Sequence, residues 1–237
     1  MANPYFQFKQ FTVWHDQCAM RVNTDGVLLG AWAAVEKDRL ILDVGTGTGL
    51  VALMVAQRSQ AGIHAVEIEE NAFKQACSNI QNSPWTNRIE VMHSDFIEYV
   101  GSCSLKYSHI VANPPYFSNS LKNPNPFKSI ARHNESLPLS GFLKGVSRIL
   151  SDGGMFSVIL PENTAEFENE AFLNGLKCTR QMLVRPFPGA PVKRRLIEFQ
   201  KTENLPPVNF QELNIRDEAG NYSYIYIELT RNFYLNF

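Results

Sequence analysis

Short apolar runs of strand length alternate with helical stretches through the middle of the chain. Four of the runs are rich in β-branched residues and end in glycine or polar residues: 40–45, 63–68, 89–94 and 108–113. Between the first three runs, 50–59 and 69–82 carry apolar residues at helical spacing. Strands and helices that alternate with short links form βαβ units. The pattern therefore predicts a parallel sheet with helices on both faces.

The second half of the chain departs from this alternation. A helix at 139–150, a strand at 155–160 and a helix at 162–176 continue it. Two further apolar-rich runs, 179–185 and 195–199, flank the turn-forming sequence PFPGAPVKR and predict an antiparallel hairpin. The expected fold is thus α/β: a doubly wound, mostly parallel seven-stranded sheet with a C-terminal antiparallel hairpin. A plain dinucleotide-binding sheet stays parallel throughout.

Three stretches lie outside this core. Residues 5–13 are short and aromatic and predict an extra strand. Residues 116–138, rich in proline and asparagine, are long for a connection and predict a functional loop. Residues 203–237 end in the aromatic run YSYIYIEL, for which we expect an edge strand packed on the core.

The composition indicates where the protein acts more clearly than what it does. The chain has 237 residues, 44% hydrophobic and 19% charged, which is typical of a globular protein. It has no apolar run of about 18 residues and no signal-peptide pattern, so we expect a cytoplasmic protein without a membrane partner. The cysteines form no C-x-x-C pair and the histidines show no metal-ligand spacing, so we expect reduced thiols and no metal. The net charge of −1 neither indicates nor excludes a local basic patch.

A glycine-rich turn follows the first predicted core strand. Gly45, Gly47 and Gly49 stand at alternate positions after Asp43 and before a helix. Glu67 ends the second strand, where a carboxylate can accept hydrogen bonds from both hydroxyls of a ribose. Asp95 follows the third strand and is placed to meet the amino group of an adenine. Open α/β sheets bind ligands at these carboxyl ends. A tight turn with no ligand is the alternative interpretation.

The spacing also discriminates between nucleotides. An NAD site has the pattern G-x-G-x-x-G with a pyrophosphate on the helix N-terminus. A carboxylate at Asp43 would repel a pyrophosphate but suits the cationic end of a methionine moiety. The order D-x-G-x-G-x-G, then Glu, then Asp, resembles the class I S-adenosylmethionine-dependent methyltransferases, which have a Rossmann-like fold. The resemblance implies S-adenosylmethionine as cofactor, S-adenosylhomocysteine as product, and cofactor contacts from Asp43, Gly45, Thr46, Gly47, Gly49, Glu67, Ile68, Asp95, Phe96 and Asn113.

Asn113-Pro114-Pro115-Tyr116 closes the fourth predicted strand. The tetrapeptide resembles the catalytic motif of methyltransferases that act on a planar amine. Such a nitrogen is a poor nucleophile because its lone pair is delocalised. The Asn113 side-chain oxygen and the Pro114 carbonyl can accept both N–H groups and favour a pyramidal nitrogen. Tyr116 offers a stacking face for the base. The competing interpretation is a proline-rich strand-to-loop turn.

Residues 15–32 look like the N-terminal signature of the bacterial valine-tRNA adenine methyltransferases. Residues 131–133 and 188–195 also resemble that family, and the likeness extends over about 6–201. It implies methylation of the exocyclic N6 amino group of the adenine just 3′ of the anticodon. It also implies that Thr24 and Asp25 lie over the methionine end of the cofactor, although they suit equally the N-cap of a helix at 27–35.

The resemblance also divides the chain. Residues 1–39 are expected to cover the cofactor, 40–201 to form the methyltransferase core with its substrate loop at 116–138, and 202–237 to form the tail.

Local charge agrees with an RNA substrate. Residues 116–133 contain cations and no acid, and 185–201 contain five cations against Glu198 alone. A basic loop with aromatic residues suits unpaired RNA, whereas ordinary solvated charge runs are the alternative. His133 is expected to contact phosphate or to pack, not to act as a base, since the amine loses its proton after transfer. The expected substrate-binding residues are Tyr116, Lys122, Lys128, Arg132, His133, Lys193, Arg194 and Arg195.

The sequence therefore predicts an S-adenosylmethionine-dependent tRNA adenine N6-methyltransferase, active in tRNA modification as a monomer or weak homodimer. The nearest alternative is a methyltransferase of a protein glutamine amide, although those relatives usually carry an added N-terminal helical domain. A DNA or ribosomal RNA adenine is a second alternative. An NAD-linked oxidoreductase and a non-catalytic RNA-binding module are the alternatives from other classes. The glycine spacing argues against the oxidoreductase, and the intact Asn113 motif argues against the module.

Overall fold

The computed structural model describes residues 3–114 and 138–237. The strands are β1 (Tyr5–Gln7), β2 (Thr12–Trp14), β3 (Leu40–Val44), β4 (Gly62–Glu67), β5 (Ile89–His93), β6 (Tyr107–Ala112), β7 (Leu150–Pro161), β8 (Leu176–Arg185), β9 (Arg194–Lys201) and β10 (Asn209–Asn214). The helices are α1 (Thr24–Trp32), α2 (Leu50–Arg58), α3 (Glu70–Gln81), α4 (Phe96–Ser102), α5 (Leu139–Ile149), α6 (Ala165–Leu173) and α7 (Tyr224–Thr230).

The main sheet has the order β10-β8-β9-β7-β6-β3-β4-β5. The five neighbouring strands β5, β4, β3, β6 and β7 are parallel to one another. Strand β9 runs antiparallel to both β7 and β8. This topology confirms the predicted doubly wound, mostly parallel sheet with an antiparallel hairpin. The sheet has eight strands among the described residues, not the seven expected, because β10 pairs in parallel with the outer side of β8.

Helices pack on both faces of the sheet. On one face, α1 and α2 bury side chains such as Leu28 and Leu53 together with Phe8 of the N-terminal segment. On the other face, α4 and α5 bury Phe96 and Phe142. The predicted helix at 27–35 begins earlier, at Thr24, because the Asn23 side chain accepts a hydrogen bond from the Gly26 amide at 2.9 Å.

The aromatic run near the C-terminus was expected to be an edge strand, and that prediction is wrong. Residues 224–230 form α7, and the Ser223 hydroxyl caps the helix by accepting from the Tyr226 amide at 3.1 Å. Tyr226 and Thr230 are buried one turn apart, whereas Tyr224 is exposed. Burial at this spacing favours a helix and overrides the strand preference of tyrosine and isoleucine. The edge strand of the tail is β10.

The N-terminal segment contains a hairpin of two strands, β1 and β2, where the sequence predicted one strand. The hairpin lies outside the main sheet and packs near the end of the chain. The Lys9 ammonium donates to the carbonyl oxygens of Arg231 at 2.6 Å and Phe237 at 2.7 Å. Within the described ranges, no helix is long and apolar enough to span a membrane.

Candidate active site

The glycine turn between β3 and α2 adopts a backbone that other residues rarely adopt. Gly45, Gly47 and Gly49 have φ angles of 69°, 56° and 81°. A Cβ at Gly45 or Gly47 would meet no described atom within 4 Å, whereas one at Gly49 would contact Ala76. Open space therefore borders the first two glycines, and a ligand can reach their backbone. These features fit the cofactor that the sequence predicts.

The buried side chain of Asp43 stabilises the glycine turn through hydrogen bonds. Its side chain is 1% exposed, and Oδ2 accepts from the Thr46 hydroxyl at 2.6 Å and from the Ala52 amide at 3.1 Å. Burial raises the pKa of this carboxyl to about 7, although both hydrogen bonds act in the opposite direction. The structure therefore places Asp43 as a link between the turn and α2. Its expected contact with the methionine end stays a prediction.

Glu67, at the end of β4, is bound to the glycine turn. Its Oε2 accepts from the Gly47 amide at 2.8 Å, and Oε1 accepts from the amides of Ile68 and Glu69, both at 2.9 Å. The side chain is buried, while the neighbouring Ile68 is largely exposed. The predicted ribose acceptor and the turn are thus fixed in one arrangement.

Asp95 follows β5 at the same edge of the sheet. The side chain caps α4, since Oδ1 accepts from the Ile97 amide at 2.7 Å and from the Glu98 amide at 3.2 Å. Phe96, the first residue of α4, is buried against Phe142 with ring centroids 5.3 Å apart. The structure brings Asp95 beside the end of β4, because Glu67 pairs with His93.

Asn113 and Pro114 follow β6, the strand adjacent to β3. Ala112 of β6 pairs with Val44, directly before the glycine turn. Asn113 is half-buried and Pro114 is buried. Four neighbouring strands, β5, β4, β3 and β6, therefore bring the predicted cofactor and catalytic residues to one edge. The remaining predicted residues of this region lie outside the described ranges: Pro115, Tyr116, Lys122, Lys128, Arg132 and His133.

Residues 14–25, here called the strap, lead from the last residue of β2 to the start of α1. Thr24 is exposed and Asp25 is half-buried in the first turn of α1. The N-cap is Asn23, not Thr24 or Asp25. Asp25 Oδ2 accepts from Arg194 Nε at 2.7 Å, which joins the end of the strap to the start of β9.

The predicted basic residues of the hairpin have different environments. Lys193 is exposed, whereas Arg194 forms the ion pair with Asp25. Arg195 Nη1 donates to the Gln181 side chain at 3.3 Å, and its buried Nε has no hydrogen-bond partner among the described residues. Glu198, the one acid counted in this run, is buried and paired with Arg180 at 3.0 Å. Of the three predicted cations, Lys193 is exposed and the two arginines are half-buried.

Two buried polar residues on α3 were missed by the sequence analysis. Gln75 and Asn79 are 4% and 1% exposed, and both bind the strap. The available signal was two amide side chains four residues apart on the inner face of an amphipathic helix, between the apolar Ala72, Ala76 and Ile80. No group of three or more histidine, cysteine or acidic residues in the described ranges could hold a metal ion.

Comparisons with known proteins agree with this arrangement. A sequence profile of the Methyltransferase small domain matches residues 25–164. The tRNA1(Val) (adenine(37)-N6)-methyltransferase of Bacteroides fragilis is 51% identical over 99% of this chain and 99% of its own length. The protein of the same name from Trichodesmium erythraeum is 41% identical over the full length of both chains.

Solved structures show the same fold. The crystal structure of a protein described as a predicted O-methyltransferase from Agrobacterium tumefaciens superposes with a TM-score of 0.67 at 21% identity. The match covers 88% of this chain and 96% of that one. TrmN from Thermus thermophilus gives a TM-score of 0.53 at 19% identity, covering 74% of this chain and 48% of that one.

Proposed function

Because this chain belongs to the tRNA1(Val) (adenine(37)-N6)-methyltransferase family, we propose that it transfers a methyl group from S-adenosylmethionine to N6 of adenine 37 in tRNA1(Val). The observation that carries the proposal is the position of Asn113 and Pro114. They follow the strand next to the glycine turn, so an amine acceptor and a cofactor site share one edge of the sheet. Relatives at about half identity over the full length of the chain support the same activity.

S-adenosylmethionine, when bound, supplies a methyl group on a positively charged sulfur. Glu67 would accept hydrogen bonds from the ribose hydroxyls; its Oε2 lies 2.8 Å from the Gly47 amide nitrogen in the glycine turn, which supports this role. Ile68, Asp95 and Phe96, at the ends of the next strands, would surround the adenine. Thr24 and Asp25 would lie over the methionine end.

Asn113 and Pro114 prepare the substrate amine. The Asn113 side-chain oxygen and the Pro114 carbonyl would accept the two N–H groups of the adenine amine, which favours a pyramidal nitrogen with its lone pair free. Alignment of that nitrogen supplies most of the rate enhancement. The amine releases its proton to water after it has gained the methyl group, so the reaction needs no base, and His133 is not assigned that role. Tyr116 would stack on the base, and Pro115 would stiffen the backbone between them.

Positively charged side chains near the carboxyl edge of the sheet would bind the tRNA. Lys193 supports this part of the proposal because it is exposed at the start of β9. Lys122, Lys128 and Arg132 remain predictions. A tRNA substrate also favours action in the cytoplasm, and a monomer or weak homodimer remains the expected state. The family assignment argues against an NAD-linked oxidoreductase and against a non-catalytic RNA-binding module.

Tritium transfer from labelled S-adenosylmethionine tests the substrate. We expect incorporation into a tRNA1(Val) transcript and none into the same transcript with guanine at position 37, into ribosomal RNA, into duplex DNA or into protein. Equal labelling of the guanine transcript would contradict the proposed target. Labelling of protein alone would favour the glutamine-amide alternative.

The variant Asn113→Ala separates chemistry from binding. It removes one of the two acceptors for the amine, so we expect methyl transfer to fall at least about a hundredfold, since misplacing a reacting group costs this much. Affinity for S-adenosylhomocysteine, measured by calorimetry, should change little. A variant that transfers methyl groups at the parent rate would remove Asn113 from catalysis.

A further inference from the structure

Asn79 joins three segments that are distant in sequence. Its Nδ2 donates to the carbonyl oxygens of Trp14 and Thr48, both at 2.8 Å, and its Oδ1 accepts from the Trp14 amide at 2.9 Å. Burying an amide is unfavourable unless hydrogen bonds compensate for lost water. These three bonds do so, and they link α3 to the first residue of the strap and to the glycine turn.

Gln75 extends the same contact by one helical turn. Its Oε1 accepts from the Gln17 amide at 3.2 Å. Residues four apart lie on the same face of a helix, so one face of α3 holds the strap at both Trp14 and Gln17. Both contacts involve strap backbone, so they fix the path of the strap whatever side chains it carries.

The charges that act on the strap include the predicted ribose acceptor. The Cys18 thiol is half-buried, and its pKa is raised to about 11 by burial and by the carboxylates of Glu67, Glu69 and Asp16. Cys18 therefore lies within electrostatic reach of Glu67. The far end of the strap is tied to β9 by the ion pair of Asp25 with Arg194.

These two anchors limit the path of the strap. From β4, near α3, to β9 the sheet order counts four strand spacings, about 19 Å in all. The chain from Gln17 to Asp25 can reach at most about 28 Å. The strap therefore crosses the edge of the sheet that carries Glu67, the glycine turn and Asn113, held at one end by α3 and at the other by β9.

We propose that Asn79 is a positioning residue for the cofactor, which holds the strap and the Thr48 carbonyl in the arrangement that binds S-adenosylmethionine. Asn79 acts through the strap and the turn and does not contact the cofactor itself. An anchored strap is already ordered, so cofactor binding need not supply the entropy of ordering it. The inference rests on the proposed function only for the identity of the ligand.

Calorimetric titration with S-adenosylhomocysteine tests this role without any tRNA. We expect Asn79→Ala to weaken binding about tenfold. Asn79→Asp keeps the acceptor for the Trp14 amide but faces the Trp14 and Thr48 carbonyls with a carboxylate, so we expect it to bind no better than Asn79→Ala. The matched control is Asn82→Ala, which loses only a bond to Ser78 at the end of the same helix. It should bind within about twofold of the wild type. Equal affinity of Asn79→Ala and the wild type would overturn the proposal.

Kinetics and amide exchange distinguish positioning from general stabilisation. At a temperature where every variant is folded, Asn79→Ala should raise KM for S-adenosylmethionine about tenfold and leave kcat within about twofold. In the ligand-free protein, exchange at the Trp14 and Gln17 amides should become faster in Asn79→Ala than in Asn82→Ala. A fall in kcat at unchanged KM, or unchanged exchange at Trp14, would overturn the assignment.

A milder variant keeps the test decisive if Asn79→Ala does not fold. Gln75→Ala removes one hydrogen bond to the strap, whereas Asn79→Ala removes two to the strap and one to the turn, so we expect a smaller rise in the dissociation constant and a smaller fall in Tm. Unchanged affinity in Gln75→Ala would contradict a role for the anchored strap. A wild-type protein that binds S-adenosylhomocysteine but does not methylate tRNA1(Val) would contradict the proposed function and leave this inference standing.

Discussion

The two halves of the carboxyl edge hold their charged side chains in different ways. On the cofactor half, Asp43, Glu67 and Asp95 accept hydrogen bonds from backbone amides of the turns and helices around them. On the substrate half, Arg194 and Arg195 are bound to the side chains of Asp25 and Gln181. Backbone amides are fixed by the fold, whereas side-chain partners can change rotamer. The proposed cofactor half is therefore preformed, whereas the proposed substrate half depends on side-chain pairing.

The largest effect on the free energy of unfolding is expected for Asp43, whose buried carboxyl stabilises the glycine turn. Asp43→Asn keeps an oxygen that can accept from Thr46 and Ala52 but cannot ionise. An acid whose pKa is raised by folding binds its proton more tightly in the folded state. The wild type is therefore most stable, relative to the variant, below about pH 4, and loses that advantage as the pH rises to about 7. A rise from 3.8 to about 7 corresponds to roughly 4 kcal/mol.

Urea unfolding of both proteins between pH 4 and pH 8 measures this difference. The comparison uses the difference in unfolding free energy between the two proteins, so that other titrating groups cancel. A difference that stays constant across this range would show that Asp43 does not titrate with a raised pKa.

The next largest effect is expected on cofactor affinity, for Glu67, which joins the glycine turn to β4. Glu67→Ala removes a charged acceptor next to Gly47, so we expect S-adenosylhomocysteine affinity to fall by about 1.5–3 kcal/mol, measured by calorimetry. Glu69→Ala is the matched control, because Glu69 caps α3 through the amides of Asn71 and Ala72. It should lower Tm with a smaller change in affinity. Equal losses of affinity in both variants would mean that Glu67 acts only through the local backbone.

The smallest effect is expected on the substrate half. Lys193→Gln removes one exposed cation. The plot of log affinity for tRNA against log salt concentration should therefore become less steep by about 0.7–0.9. Arg195→Gln is the control, since its guanidinium is bound to Gln181 inside the hairpin. It should lower Tm and leave the slope unchanged. An unchanged slope in Lys193→Gln would remove this residue from the RNA-facing surface.

The sequence predicted best those features that depend on neighbouring residues. The strand-turn-helix of Asp43 and its glycines is local, because positive φ angles favour glycine and the flanking apolar runs define β3 and α2. The alternation of strands and helices predicted parallel strands, whose carboxyl ends lie at one edge of the sheet. Glu67 and Asp95 could be placed at the same edge for this reason.

The features that were missed depend on residues far apart in the chain. Asn79 binds Trp14, 65 residues away, and Thr48, 31 residues away, and no local pattern encodes either contact. Asp25 and Arg194 are 169 residues apart in the chain. The sequence predicted a cofactor contact for one and a substrate contact for the other, and it could not show that the two form an ion pair. The aromatic run at 222–229 was expected to be an edge strand, although the burial of Tyr226 and Thr230 favours the helix that forms there.

The contact between Lys9 and the carbonyl of Phe237 bridges 228 residues, almost the whole chain. The ring of Phe8, in the turn of the hairpin that leads into the strap, packs on Tyr234 with centroids 6.0 Å apart, and the Lys9 amide donates to the Phe233 carbonyl at 2.8 Å. During synthesis, these first residues leave the ribosome long before the last ones, and they cannot complete their packing until the C-terminal helix has been translated. Contacts of such long sequence separation form late. If the strap binds the cofactor as proposed, competence to bind it is expected only after the C-terminal helix has packed against the hairpin.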